Sequence, residues 1–435
     1  MANLSRKEQR DLARSRDIVE VAESLGMDLI RSSSQYRWKD HDSLVISPKQ
    51  GLWNWHSRQV GGDVISLVET IKEVNYNQAV EFLNTGSFSQ RDYNQPQEKE
   101  DFNYYLQRYE QPLEEGRRYL QEQRGLSAET IDFFNRQGVL AQANILRNGQ
   151  IEPSLVFKSF DSSEKLVGAS LQGIRQNFEK YPKKGYLKEV MKNSDGLSNF
   201  HVDIGQPQRL VFMEAPIDLM SYYELHRDSL QDVRLVSMEG LKEGVISRYM
   251  AELAAQNNNN SEWFQSRTAD QLHDFLPNAI QSHAIDQVIP NPQLITLAVD
   301  NDEAGRHLIS KLQQKGIPLT VDVPIIEAED QIKQDWNDAL KEGVPEAKGY
   351  HLYGLNPTDD GLEKVYSGYY TPDVAQAKLE EALGAGELMI ATEGYEQLKN
   401  LPDTASEWEQ YPRPQFSNGD IPNSLTKITA YRFNN

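Results

Sequence analysis

Leu294-Ile-Thr-Leu-Ala-Val-Asp300-Asn-Asp302-Glu-Ala-Gly-Arg306 is the stretch that decides the fold. An apolar run of strand length stops at two aspartates, and acid in the next turn predicts a helix from Glu303. The same design occurs upstream, where Arg209-Leu-Val-Phe-Met213 reads as a buried strand followed directly by Glu214. Pro216 suits the first turn of a helix, because its missing N–H would be unpaired there anyway, and Asp218 follows within that turn. A third run, Leu319-Thr-Val-Asp-Val323, precedes Asp335-Trp-Asn-Asp338. In an open parallel sheet ligands gather at the carboxyl ends of the strands. Acids from several strand ends can therefore converge, and hard oxygen ligands suit Mg²⁺ or Mn²⁺ shared with a phosphate.

An isolated Asp-x-Asp after a strand is commonly a helix cap; three acidic clusters in this order point instead to a metal site. With these residues the chain resembles the Toprim family, the metal-binding domain shared by bacterial primases, topoisomerases and some nucleases. The resemblance implies catalytic roles for Glu214, Asp300 and Asp302, metal binding by these three, and supporting acids at Asp218, Asp335 and Asp338. The third cluster departs from the primase pattern, which places Pro between two Asp; Trp336 and Asn337 stand there instead.

The N-terminal segment narrows the resemblance. Ile18, Val21, Ala22, Leu25 and Leu29 share one helical face. Tyr36-Arg-Trp38, Ser43 to Pro48 and Gly51 to His56 read as short strands, and Gly61-Gly62-Asp63 precedes a helix through Val64, Ile65, Leu67, Val68 and Ile71. The order resembles the zinc-binding domain of bacterial replicative primases. That family holds zinc with Cys and His, whereas this chain has no cysteine. Trp55 and Arg58 fall where thiolates would sit, and His41, with His56 nearby, does not complete a four-ligand site, so no zinc is expected. Trp38, Trp53 and Trp55 are expected to hold a metal-free domain by aromatic burial, the competing role being base stacking on a single strand.

Arg117 to Ser127 predicts a helix end at Gly125 and a new cap at Ser127, and it resembles the start of the primase catalytic core. Ser154-Leu-Val-Phe-Lys158 and Leu166 to Leu171 alternate like a hairpin. Lys180, Lys183, Lys184, Lys188 and Lys192 follow, interleaved with Tyr181 and Tyr186. In a primase-like core these lysines, with Arg306, would meet template and nucleotide phosphates; by themselves they are equally a solvated face.

The 435 residues suffice for several cores, and the formal charge of −20 excludes a protein that grips duplex DNA by bulk charge. The lack of cysteine fits a reducing cytoplasm, and no apolar run approaches the ~18 residues of a membrane span, so a cytoplasmic protein without membrane partners is expected. The expected organisation is a degenerate zinc-binding-like domain at 1–84, a linker at 85–114, a core subdomain at 115–205, a Toprim domain at 206–342 and an acidic accessory domain at 343–435. The fold class is α/β and α+β multidomain, with a parallel sheet flanked by helices behind a small α+β domain. The function this implies is template-directed primer synthesis from nucleoside triphosphates on single-stranded DNA, for a plasmid, phage or conjugative element. Replication or conjugation proteins would be partners through the C-terminal segment. A metal-dependent nuclease and a non-catalytic strand-binding or protein-binding module are the alternatives.

Overall fold

The computed structural model describes residues 6–392 except 33–34, 49, 56, 59, 73, 91–100, 148, 183–184, 344–348, 359–360, 386 and 388. His56, Lys183, Lys184 and a strand expected at Leu425 to Tyr431 lie outside the described residues. The chain is mixed α/β and divides into two compact units, Met1–Lys99 and Glu100–Asn435.

The first unit opens with α1 (Arg6–Arg14) and α2 (Ile18–Ser24), the latter capped by Asp17, whose side chain accepts from Val19 and Glu20 N–H. Helix α2 stops at Leu25 and Gly26 takes a φ of 83°, so Leu29, expected on the helical face, begins a strand instead. Strands β1 (Leu29–Ser32), β2 (Gln35–Trp38), β3 (His41–Ser47), β4 (Leu52–Trp55) and β5 (Val60–Gly62) form an antiparallel meander in chain order. Asp63 caps α3 (Val64–Lys72) through Ile65 and Ser66 N–H, and α4 (Tyr76–Thr85) completes the unit. Ile18, Val21, Leu44, Ile46, Trp53, Trp55, Ile65 and Val68 share its core. Trp55 sits edge-on to Trp38 at 5.6 Å, His41 lies against both, and the Arg58 guanidinium covers Trp55 at 3.8 Å. Aromatic packing thus occupies the positions where the resemblance would put metal ligands.

The second unit begins with β6 (Glu110–Gln111), α5 (Glu114–Glu122) and α6 (Ala128–Arg136), with Ser127 capping α6 through Thr130 N–H. Strands β7 (Leu140–Arg147), β8 (Gln150–Phe160), β9 (Leu166–Gly173) and β10 (Lys188–Val190) complete an antiparallel sheet of order β10-β9-β8-β7-β6. One face of that sheet carries Leu155 and Phe157 into a core shared with Phe200, Val211 and Met213; the other buries Val156, Leu171 and Leu187.

The next sheet contains β11 (His201–Ile204), β12 (Arg209–Met213), β13 (Val233–Ser237), β14 (Ile295–Leu297) and β15 (Thr320–Val321), in the order β11-β13-β12-β14-β15. Its last four neighbours are parallel and β11 is an antiparallel edge. Helix α7 (Pro216–His226) links β12 to β13. Helices α8 (Glu243–Asn257), α9 (Ser261–Gln265), α10 (Ala269–His273), α11 (Phe275–Gln281) and α12 (Ile285–Val288) precede β14, which lies on the opposite side of β12. The order of connection therefore reverses at β12, and a topological switch point opens at the carboxyl ends of β12 and β14. Strand β14 is shorter than the run Leu294 to Val299, because Pro292–Leu294 forms a 3₁₀ turn before it.

Helices α13 (Glu303–Gln314) and α14 (Trp336–Glu342) follow β14 and β15. Strands β16 (Tyr350–Thr358), β17 (Gly361–Tyr370) and β18 (Met389–Thr392), with α15 (Pro372–Ala385) before β18, form an antiparallel sheet of order β17-β16-β18. Tyr353, Leu355, Tyr366 and Ile390 from this sheet join the same hydrophobic cluster as Phe212, Leu297 and Leu308. Residues 349–392 thus share a core with the parallel sheet.

Candidate functional site

The three acidic clusters leave the sheet at neighbouring places. Glu214 follows β12 and is half-buried; Pro216 opens α7, and Asp218 on its first turn is 8% exposed. At the end of β14 the ladder continues through Ala298 N–H to the Phe212 carbonyl at 2.8 Å, and Asp300 emerges beside Glu214's strand. Asp302 caps α13, one carboxylate oxygen accepting from Gly305 N–H at 2.8 Å. A side chain at Gly305 would begin 2.1 Å from the Asp300 carbonyl oxygen, so the glycine lets the helix start directly against the strand end. Asp335 caps α14 by accepting from Asp338 N–H at 2.7 Å.

The electrostatics show that these carboxylates act on one another. Burial first, then the charges of Asp218, Glu214, Asp335 and Asp302, raise the Asp300 carboxyl to about 10. Burial and Asp335 likewise raise Asp218 to about 8, with Glu214 adding to the shift and Lys188 and Arg124 opposing it. Asp335 is raised mainly by burial. Oδ1 of Asp300 is sealed from solvent and has no hydrogen-bond partner, a state that in a native protein calls for a bound water, ion or ligand. Mutual repulsion of this size is what a divalent cation relieves, and the donors are hard oxygens. Among the described residues no group of three or more acidic, histidine or cysteine side chains stands where it could hold a metal ion. Mg²⁺ keeps several waters and takes one or two carboxylates together with substrate phosphates. By donor type and charge, Asp300 and Asp302 with Glu214 suit such an ion, and Asp218 and Asp335 add negative charge beside Asp300.

Asp338 differs from the others. Its carboxylate pairs with Lys341 at 2.8 Å on the exposed side of α14. The residues between Asp335 and Asp338 have structural duties. Trp336 donates its indole N–H to the Ala298 carbonyl at 2.8 Å, and Asn337 donates to the Arg124 carbonyl at 2.7 Å and to Ser221 Oγ at 3.0 Å.

Asn301, between the two aspartates of the second cluster, is fully buried. Its amide donates to the carbonyls of Pro324 and Tyr369 at 3.0 and 2.8 Å. Arg306, expected to meet phosphate, donates to the Asn301 backbone and side-chain oxygens at 3.2 and 3.1 Å, so in this structure it braces the loop.

Of the expected basic strip, Lys180 is paired with Glu152 at 2.5 Å. Lys192 is exposed. Lys188 is the lysine whose charge reaches the acidic cluster, through Asp218. It lies opposite Gln172 in the β9–β10 pairing, while Val190 lies opposite Ser170. Directly opposed residues share a sheet face, so Ser170, Gln172 and Lys188 lie together.

Two residues escaped the sequence reading. Arg124, which ends α5's turn, opposes the charge at Asp218. Glu239 follows β13, one residue past the strand-end position of Glu214, and is raised chiefly by burial. The apolar run Val233 to Met238 ending in an acid was the available signal. A cavity of about 730 Å³ lies behind the β13–α8 loop, lined by Leu241, Ile246, Leu276 and Leu312, and it contains none of the clustered carboxylates.

No family model matches the chain. An uncharacterized protein of Bacillus anthracis is 28% identical over 353 residues, spanning 77% of this chain and 89% of that protein. Among solved structures, the primase fragment of the bacteriophage T7 primase–helicase covers 51% of this chain and 68% of its own at 18% identity and a TM-score of 0.29. The zinc-binding and RNA polymerase domains of Aquifex aeolicus primase cover 77% and 82% at 13% identity and 0.28, and the Escherichia coli primase catalytic core 54% and 72% at 14% and 0.28.

Proposed function

We propose that this chain is a primase-like Toprim nucleotidyltransferase that makes short primers on single-stranded DNA. The observation that carries the reading is the mutual electrostatic coupling of Glu214, Asp218, Asp300 and Asp335 at the switch point, with a buried Asp300 oxygen lacking any partner. Asp300 and Asp302, with Glu214, would hold Mg²⁺ or Mn²⁺, and Asp218 and Asp335 would support them. When bound, the cation neutralises charge building on the leaving pyrophosphate and on the attacking oxygen.

The protein's own groups do the remaining work. Glu214, the half-buried carboxylate at the end of β12, accepts the proton of the attacking 3′-hydroxyl. Lys188, from the antiparallel sheet, holds phosphate opposite the acids. The caps made by Asp302 and Asp335 fix these side chains against helix ends, so little reorganisation is needed at reaction. Service to a plasmid, phage or conjugative element belongs to the same proposal, as do replication or conjugation partners.

The test is primer synthesis on single-stranded DNA with labelled nucleotides and Mg²⁺ or Mn²⁺, wild type beside Asp300→Asn/Asp302→Asn. Short products that vanish in the double variant are expected. Shortened template instead would make the same site hydrolytic, and strand binding without turnover would make the chain a binding module.

A further inference from the structure

A cavity of about 170 Å³ lies between the ends of β15, α7 and α14. Three of its lining residues are rings: His226, which closes α7, Trp336, which opens α14, and Tyr369 of β17. Two carboxylates line it as well, Asp322 just past β15 and the exposed Glu327. Its described lining contains no lysine or arginine. His226 stands edge-on to Trp336 at 5.3 Å, and its Nδ1 donates to the Tyr222 carbonyl at 2.9 Å, so in a neutral ring the other nitrogen is an acceptor. Aromatic faces attract cations, and carboxylates supply the opposite charge.

The same lining fastens the acidic segments. Tyr222, on the helix of Asp218, donates its hydroxyl to Asp322 at 2.7 Å. Trp336 donates to the carbonyl of Ala298, in the segment that leads to Asp300. Gln334, also in the lining, exchanges two backbone bonds with Asn301 at 2.8 and 3.2 Å, between Asp300 and Asp302. The Tyr369 carbonyl accepts from the Asn301 amide at 2.8 Å. Whatever fills the cavity therefore presses on residues bonded directly to the segments that present Asp218, Asp300 and Asp302.

Size and charge specify the occupant. A water takes about 30 Å³ of liquid, so the space suits about five or six heavy atoms. A short aliphatic diamine has that size, two ammonium ends for two carboxylates, and a methylene stem for the rings. We propose that this cavity binds a short aliphatic diamine, whose occupancy holds the three acidic segments in register. The inference is independent of the nucleotidyltransferase reading, because it rests on residues outside the acidic cluster.

The experiment is calorimetric binding of putrescine to the full chain in excess Mg²⁺, with butylamine and Nα-acetyl-lysinamide as comparisons. The variants are Asp322→Asn, Glu327→Gln and Asp300→Asn/Asp302→Asn. Putrescine should bind at one site and more tightly than butylamine, which lacks the second charge. Asp322→Asn, which keeps an oxygen for the Tyr222 hydroxyl, should weaken it by about tenfold, and the exposed Glu327→Gln by about threefold. Glu327→Gln keeps the test valid if the change at Asp322 prevents folding. Asp300→Asn/Asp302→Asn should leave the affinity unchanged, and bound putrescine should slow hydrogen exchange at the Asn301 and Gln334 amides. No binding, or binding lost in Asp300→Asn/Asp302→Asn and kept in the two cavity variants, would overturn the site. Nα-acetyl-lysinamide binding as tightly as putrescine would assign the cavity to a protein side chain and overturn the diamine. Binding without slowed exchange would overturn the registering role. Each of these outcomes leaves the primer-synthesis test untouched.

Discussion

The indole N–H of Trp336 donates to the carbonyl of Ala298 at 2.8 Å and ties the helix that follows Asp335 to the strand that delivers Asp300. Tyr222 of α7 packs edge-on against the same indole at 4.9 Å, so all three acidic segments meet at one side chain. The Trp-Asn pair that departs from the primase pattern therefore registers the clusters against each other. Trp336→Phe keeps an aromatic ring but deletes the N–H donor and part of the indole's buried volume. It should destabilise the second unit by at least about 1–3 kcal/mol, the cost of leaving a buried carbonyl unpaired, with the lost packing added to it. Denaturant unfolding measures this; an unchanged midpoint would show that the bond has no registering role.

The acidic cluster predicts an unusual pH dependence. Asp300 and Asp218 have folded-state pKa values of about 10 and about 8, above their ordinary 3.8. Their contribution to stability is complete below the ordinary value and is lost as pH rises through the folded values. Without divalent cation the second unit should therefore weaken as pH rises from about 4 toward 8, and Mg²⁺ should reverse the loss. Asp300→Asn should be more stable than wild type at pH 8 without metal, with the gap closing near pH 4. Thermal midpoints across that window decide it; a parallel pair of curves would rule the linkage out.

Asn301→Ala would leave the Pro324 carbonyl without its amide donor, while the Tyr369 carbonyl keeps the Ile326 N–H at 3.0 Å. A loss of about 1–3 kcal/mol is expected from the one carbonyl left unpaired. Hydrogen exchange should quicken in β17, which contains Tyr369, and near the Asp300–Asp302 loop together. Faster exchange at only one of them would mean that Asn301 does not couple the two.

Lys188→Ala removes a positive charge that favours the ionised form of Asp218. The proposal that this lysine holds phosphate predicts weaker strand binding. The slope of log affinity against log salt should fall by about 0.7, the share of one phosphate contact on a single strand. Fluorescence anisotropy across a salt series measures it, and an unchanged slope would remove Lys188 from the interface.

Much of the frame could be read from the sequence because its signals are local. The strand Arg209 to Met213, the proline opening α7, and caps at Asp17, Asp63, Ser127 and Asp302 all follow from a few adjacent residues. Two strand ends bearing acids and a third acidic cluster, which opens α14, could also be read, and the structure couples their charges. What could not be read depends on contacts distant along the chain. Nothing near Lys188 says that its charge reaches Asp218, or near Ser170 that it faces Glu239. Nothing near Arg306 in the sequence says that it donates to the Asn301 side chain. Leu29 fitted the helical period but fell beyond Gly26, whose positive φ had already ended the helix.

The stack of Trp38, His41, Trp55 and Arg58 in the first unit is assembled wholly from three aromatic rings and a guanidinium. A thiolate–zinc knot must be supplied with its ion and kept reduced, and its folding is bound to both supplies. The four side chains here include no thiol, and what holds them to one another is ring contact and a cation over an indole.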